Sequence, residues 1–208
     1  MRSNSVARAA LLLPLLLAGC GLFTPREAGR TPPYGSPYAG LNNKSVAIVV
    51  YVPPAAANEY TGARDEISSF ITAQFREHLP TVQLLNPQIV MNWQDDTLNW
   101  QALSGDAVGK HFGVDRVLYV EVLSYTSRKV LKYSNMQGDL RALCKIYQSD
   151  APAPPPAAPA PPPAWTGLVD AFWPLSRPLD PTQTNEAAVR LHTLEAFADQ
   201  LVGHFYEH

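Results

Sequence analysis

From residue 45 onward the hydrophobic positions switch between a period of two and a period near 3.6, the signatures of strands and amphipathic helices. Ser45 to Pro53 (SVAIVVYVP) is a near-continuous β-branched run of the kind buried on both faces of a sheet, and it predicts a central strand. After the turn-like PPAAANEYTG, Ile67, Phe70, Ile71 and Phe75 recur at helical spacing and close with Leu79 before Pro80, predicting a helix over 62–79. Thr81 to Met91 reads as a short strand broken by Pro87, at the edge of the sheet or followed by a turn. A second helical stretch over 95–113 carries Trp100, Leu103, Val108 and Phe112, with Gly113 as its C-cap.

Val114 to Tyr125 (VDRVLYVEVLSY) places Val117, Tyr119, Glu121 and Leu123 on one face and Leu118, Val120 and Val122 on the other, so this strand belongs inside the sheet. Residues 138–148 alternate more cleanly, with Leu140, Ala142, Cys144 and Ile146 inward and Asp139, Arg141 and Lys145 outward. Trp165 to Trp173 is their hairpin partner. A final helix over 185–208 has the stripe Leu191, Leu194, Ala198, Leu201, Val202 and Phe205. The order strand-helix-strand-helix-strand-strand-strand-helix predicts an α/β fold, a single mixed sheet of about five strands with helices packed on it, as one domain over 45–208.

The chain before that domain is of another kind. Arg2 and Arg8 form a positive region, Ala9 to Leu17 an apolar stretch, and Ala18-Gly19 are small residues directly before Cys20, the layout of an export signal over 1–19. Nine apolar residues rise only about 14 Å as a helix, too short to span a bilayer. Leu17-Ala18-Gly19-Cys20 resembles a bacterial lipobox, which implies cleavage before Cys20 and acylation of its sulfur and new amino group. Several acyl chains at about 0.8 kcal/mol per CH₂ would hold such a protein on a membrane. Gly21, where retained lipoproteins carry Asp, implies by the same resemblance export to the outer membrane. Residues 21–44, with Pro, Gly, Ser and Asn and no hydrophobic period, read as a tether. Ala151 to Ala164, eight Pro and six Ala, reads as an extended insertion at the tip of the last hairpin, either a tolerated loop or a stiff arm offering a proline-rich ligand.

Composition narrows the function classes. The 208 residues hold 16 Lys plus Arg against 18 Asp plus Glu, which gives no nucleic-acid footprint and no polybasic membrane surface. Removing residues 1–19 would leave 14 basic against 18 acidic residues and Cys144 as the one thiol beside a lipidated Cys20, so no internal disulfide is expected.

The search for chemistry finds no phosphate-loop, dinucleotide, nucleophile-elbow or zinc-protease signature, and no cofactor is expected. Of His78, His111, His192, His204 and His208, the last two share a helix face at i, i+4, but a metal would need a further ligand, and none is expected. Cys144 on an inward face reads as a small hydrophobe. Asp95 and Asp96 read as helix N-caps. Trp93 and Trp100, seven residues apart, read as a core or interface stripe. Glu121 in a buried strand calls for a Lys or Arg partner, or for solvent at a strand end.

Ser45 to Pro54, the segment from Val108 to Leu118 and the strand pair beginning at Gly138 together resemble the envelope lipoproteins whose domain is similar to the amino-terminal domain of TolB, a group with curli-secretion lipoproteins, penicillin-binding-protein activators and ABC-transport auxiliary lipoproteins. In that group a helix ending in a Gly-hydrophobic-Asp step feeds a central strand, as Gly113-Val114-Asp115 does here. The resemblance implies a non-catalytic accessory or assembly protein on the periplasmic side of a membrane, docking on an envelope protein. Two rivals make different demands. A cell-wall glycan-binding module needs Trp93, Trp100, Trp165 and Trp173 exposed in a row, and a hydrolase needs a pocket holding Glu121 or Asp170.

Overall fold

The computed structural model describes residues 38–127, 136–150, 159–175 and 184–206. The signal segment, Cys20 and the tether up to residue 37 lie outside the described residues, as do 151–158 of the Pro/Ala insertion and His208. The fold is α/β, with one open mixed sheet of five strands in the order β2-β1-β3-β4-β5. The strands are β1 (Ser45–Tyr51), β2 (Gln83–Leu84), β3 (Arg116–Thr126), β4 (Gly138–Gln148) and β5 (Trp165–Trp173). β1 runs parallel to β2 and β3, whereas β3-β4 and β4-β5 are antiparallel. β3 takes the middle position and the β-branched β1 lies next to it, with its five central residues buried.

The helices are α1 (Pro54–Glu59), α2 (Ala63–His78), α3 (Pro87–Asp96), α4 (Gly105–Phe112) and α5 (Glu186–Val202). α2 and α5 cover one face of the sheet. Ile67, Ile71 and Phe75 of α2 meet Phe197, Ala198 and Leu201 of α5 above Val46, Ile48, Leu118 and Val120. The inward residues of β4, Leu140, Ala142, Cys144 and Ile146, are all fully buried in this core, as their alternation predicts. α3 and α4 cover Ala47, Val49 and Val117 on the other face. That second cover reaches only the end of β4, at Tyr147 and Ser149, and leaves the rest of β4 and all of β5 open.

Several elements differ from the sequence reading. The turn-like stretch after β1 contains α1, with Pro54 at its first position, where the missing N–H costs nothing. The stretch 81–91 supplies only the two-residue β2 at the sheet edge. Pro87 does not interrupt a strand but opens α3, and the Asn86 side chain accepts the Gln88 amide at 3.0 Å as an N-cap. The helical stretch expected over 95–113 is split: α3 ends at Asp96, Trp100–Ala102 form a 3₁₀ turn, and α4 follows. Asp95 and Asp96 therefore sit at a helix C-terminus and are not N-caps; Asp95 pairs with Arg64 at 2.7 Å. Gly113 does cap α4, at φ +65°.

In α5, Asn185 caps the Ala188 amide at 2.9 Å, but Leu191 is exposed and so is not part of the buried stripe. Phe205 lies past the helix end and still packs on Phe75 and Trp165. The folded domain begins before residue 45: the Tyr38 amide donates to the His204 carbonyl at 2.9 Å, and Leu41 is buried.

Two polar clusters lock the entry to the sheet. The Asp115 carboxylate accepts the Ser45 amide and hydroxyl, both at 2.9 Å, while the Asp115 amide donates to the Ser45 hydroxyl at 2.8 Å. These bonds hold the Asp115 carboxyl below its ordinary pKa. The Gly-hydrophobic-Asp step is thus a clamp between the first residues of β1 and β3. Beside it the buried Arg116 guanidinium donates to the Asp115 carbonyl at 2.8 Å and pairs with Asp150, which Lys44 also reaches at 2.9 Å.

Candidate docking surface

The sheet is unevenly covered. One face is covered across its width by α2 and α5, whereas the other is covered by α3 and α4 only over β2, β1, the start of β3 and the end of β4. Cross-strand register places Glu121, Leu143 and Leu168 in one line across β3, β4 and β5, and Tyr119, Lys145 and Thr166 in the next. A β-bulge sets Leu123 and Ser124 opposite Arg141, and the extra residue turns Tyr125 into the core against Tyr60, ring centroids 4.7 Å apart. Leu123 is consequently left 49% exposed and Leu168 47%, with Leu143 half-buried between the strands. Around these leucines stand opposite charges: Lys145 with Glu121 at 3.1 Å and Arg141 near Asp170 at 4.0 Å. The open half of the face is a small apolar cluster inside a balanced charged rim.

Where the covered half meets the open half there is a cleft of about 440 Å³. Its floor is Tyr119, Glu121, Lys145 and Tyr147 with Tyr51 beside them, one wall is Leu103 to Gly105 ahead of α4, and the other is formed by Ala160, Pro161 and Pro163. Gly105 makes this geometry possible, since a Cβ there would overlap the Tyr147 ring, and Gly109 one turn later is likewise pressed on Ser149 and Val117. α4 therefore lies close on β3 and β4, with the Tyr147 side chain against its first residue. Burial pushes the Tyr119 phenol up to about 12, helped by Glu121 and the neighbouring Tyr147 and Tyr51.

The residues singled out from sequence are distributed as follows. Glu121 has the basic partner its position requires, Lys145. Of the two carboxylates named for a hydrolase pocket, Glu121 lines the cleft, whereas Asp170 lies on the same face two strands away, at the level of Arg141 and outside it. Cys144 is fully buried on the opposite face, and burial alone pushes its thiol far up. The tryptophan row required of a glycan-binding module does not form: Trp93 and Trp100 pack together under α3 and α4, centroids 6.2 Å apart, while Trp165 and Trp173 lie across the sheet against His204 and His192. Trp93 and Trp100 are the core pair expected, but they belong to two elements and not to one helix face. Among the described residues no three His, Cys, Asp or Glu side chains converge as a metal site, and no helix is long and apolar enough to cross a membrane.

Sequence reasoning missed the convergence of Tyr51, Tyr119 and Tyr147. Alternation gives the face of each tyrosine, but only the register, Val49 with Tyr119, Tyr51 with Glu121 and Val117 with Tyr147, makes them neighbours.

No family model matches the chain, and no curated protein matches it. Among solved structures it is similar to lipoprotein GNA1162 from Neisseria meningitidis, at 14% identity and a TM-score of 0.45, covering 76% of this chain and 97% of that one. The PelC dodecamer from Paraburkholderia phytofirmans gives 10% identity and a TM-score of 0.44, covering 83% and 96%. A minor lipoprotein from Acinetobacter baumannii gives 13% identity and a TM-score of 0.37, covering 77% and 89%. Similarity of this size assigns neither a family nor an activity.

Proposed function

We propose that the protein is a lipid-anchored, non-catalytic accessory component of a bacterial cell-envelope complex, held on the periplasmic side of the outer membrane through Cys20 and docked on a protein partner through the open half of its sheet. The observation that carries the docking reading is the uneven covering of the sheet: Leu143 and Leu168 adjoin across β4 and β5 with Leu123 set diagonally on β3, all on the uncovered half, and Glu121, Lys145, Arg141 and Asp170 stand around them. An apolar centre with a charged rim is the anatomy of a protein interface. Three strands about 4.8 Å apart and about six residues long make a patch of roughly 300 Å². A stable contact buries about 800 Å² per partner, so the partner must also reach the β5 edge or the rim of the cleft. The anchor rests on the register of Leu17-Ala18-Gly19-Cys20 behind an apolar stretch too short to span a bilayer.

Sedimentation of detergent-solubilised membranes tests the reading. The wild-type chain is expected to travel in a complex larger than the monomer, and the Leu123→Asp/Leu168→Asp double variant, altered only at exposed positions, as the free protein with an unchanged Tm. Identical sedimentation of the two would overturn the docking face. Cys20→Ser is expected to move the protein out of the membrane fraction, and unchanged partitioning would overturn the anchor.

A further inference from the structure

We propose that the tyrosine-walled cleft is a binding site for an extended proline-rich peptide and that this chain's own Pro161–Pro163 is its ligand in cis. The inference does not depend on the membrane anchor or on the docking face. It begins with the way β5 ends. The β4-β5 ladder continues to Ala164, whose amide donates to the Ile146 carbonyl at 2.7 Å. Upstream of it, Pro163, Pro162 and Pro161 have no N–H, so the ladder cannot go on and the chain must leave the sheet. It leaves across the cleft: Pro161 and Pro163 line it and are half-buried, whereas Pro162 between them is exposed.

The opposing wall has the chemistry that reads such a segment. A polyproline helix has no internal hydrogen bonds, so it presents flat pyrrolidine rings together with unpaired carbonyls. Tyr51, Tyr119 and Tyr147 line the cleft with aromatic rings, and among the described residues their hydroxyls have no hydrogen-bond partner. Aromatic-lined grooves bind proline-rich segments in this way because the ligand is already extended and loses little entropy on docking. The cleft, about 440 Å³ with Pro161 and Pro163 along its wall, is within the size range of ligand sites. The pentapeptide Ala-Pro-Pro-Pro-Ala occurs twice in the sequence, at 153–157 and at 160–164, and the second copy is the one at the cleft. Gly105 belongs to the same device, because a side chain there would displace the ring of Tyr147.

The test uses the full-length chain, with Pro161, Pro162 and Pro163 each replaced by Gly to vacate the cleft, and as probe a synthetic peptide of repeated Ala-Pro-Pro-Pro-Ala followed by fluorescence anisotropy. A cleft filled in cis about nine-tenths of the time weakens apparent binding about tenfold, so the Gly variant is expected to bind the peptide about tenfold more tightly than wild type. Adding Tyr147→Ala to it is expected to remove that binding. No binding by the Gly variant, equal binding by wild type and variant, or binding indifferent to Tyr147→Ala would each overturn the proposal. A measurement on the unaltered protein guards against a misfolded variant: nuclear Overhauser contacts between the Tyr147 ring and Pro161 or Pro163 are expected, and their absence overturns occupancy in cis.

Discussion

Gly105→Ala tests the packing that shapes the cleft. The added methyl falls where the Cβ, Cγ and Cδ2 of Tyr147 already lie. The Tyr147 Cβ is fixed by β4, paired to Val117, so relief requires either rotation of the ring or retreat of α4 from the sheet. Overpacking of this kind costs about 1–3 kcal/mol. Replacing Gly returns about 0.5–1 kcal/mol through the unfolded chain. The midpoints of these ranges leave a net destabilisation of about 1 kcal/mol, and at about 2–4 °C per kcal/mol for a domain of this size the Tm falls by about 2–4 °C. Urea unfolding followed by tryptophan fluorescence is the assay, with a lower midpoint and an unchanged slope expected. Tyr147→Ala, which removes the ring and leaves only the Cβ, should recover part of the loss, giving a coupling of about 1 kcal/mol in a double-mutant cycle. A midpoint for Gly105→Ala equal to or above that of wild type refutes the close-packing account.

Further predictions concern the clamp, the thiol and the core. The Asp115 carboxyl is lowered by its bonds from Ser45 and the Asp150 carboxyl by Lys44 and then Arg116, so both stabilise the fold in their charged form. That stability is complete above the ordinary aspartate value of about 3.9 and is lost as pH falls through the lowered values; urea midpoints should drop on acidification below about pH 4, and Asp115→Asn should flatten the drop. The buried, strongly raised Cys144 thiol should resist iodoacetamide in the native protein and react once it is unfolded; rapid native labelling would contradict its place in the core. Phe197→Ala, at a side chain 1% exposed between α5 and the sheet, should cost about 3–5 kcal/mol in equilibrium unfolding, and a loss below about 1 kcal/mol would put the core elsewhere.

The sheet was legible in the sequence because its strands carry strong patterns. The alternation of 138–148 gave the inward set of β4 residue by residue, and the β-branched run at 45–53 gave a strand buried on both sides. The helical pattern of 62–79 likewise matches α2 within a residue. Proline caused the main misreading: Pro87 is compatible with both a broken strand and the first turn of a helix, and the deciding feature, the Asn86 cap, is a short-range side-chain bond that hydrophobic spacing does not register. The stretch 95–113 has apolar residues at helical intervals, but Trp100 belongs to the 3₁₀ turn, Leu103 to the link after it and Val108 and Phe112 to α4, with breaks at Thr97 and Leu103. The Glu121–Lys145 pair was foreseeable in kind, and its partner was fixed only by the β3-β4 register. The cleft was not legible at all, since it is assembled from β1, β3, β4, the approach to α4 and the proline segment, and no local pattern carries that register.

The central claim, that the open half of the sheet faces a protein partner, is tested most directly by placing a photoreactive residue at Leu168 in the membrane-anchored protein in living cells and comparing it with Leu191, which is similarly exposed at 44% but lies on α5, across the sheet. The account predicts one discrete crosslinked envelope protein from position 168, lost with Leu123→Asp, and none from position 191. Equal crosslinking from both positions, or none from position 168, would contradict it.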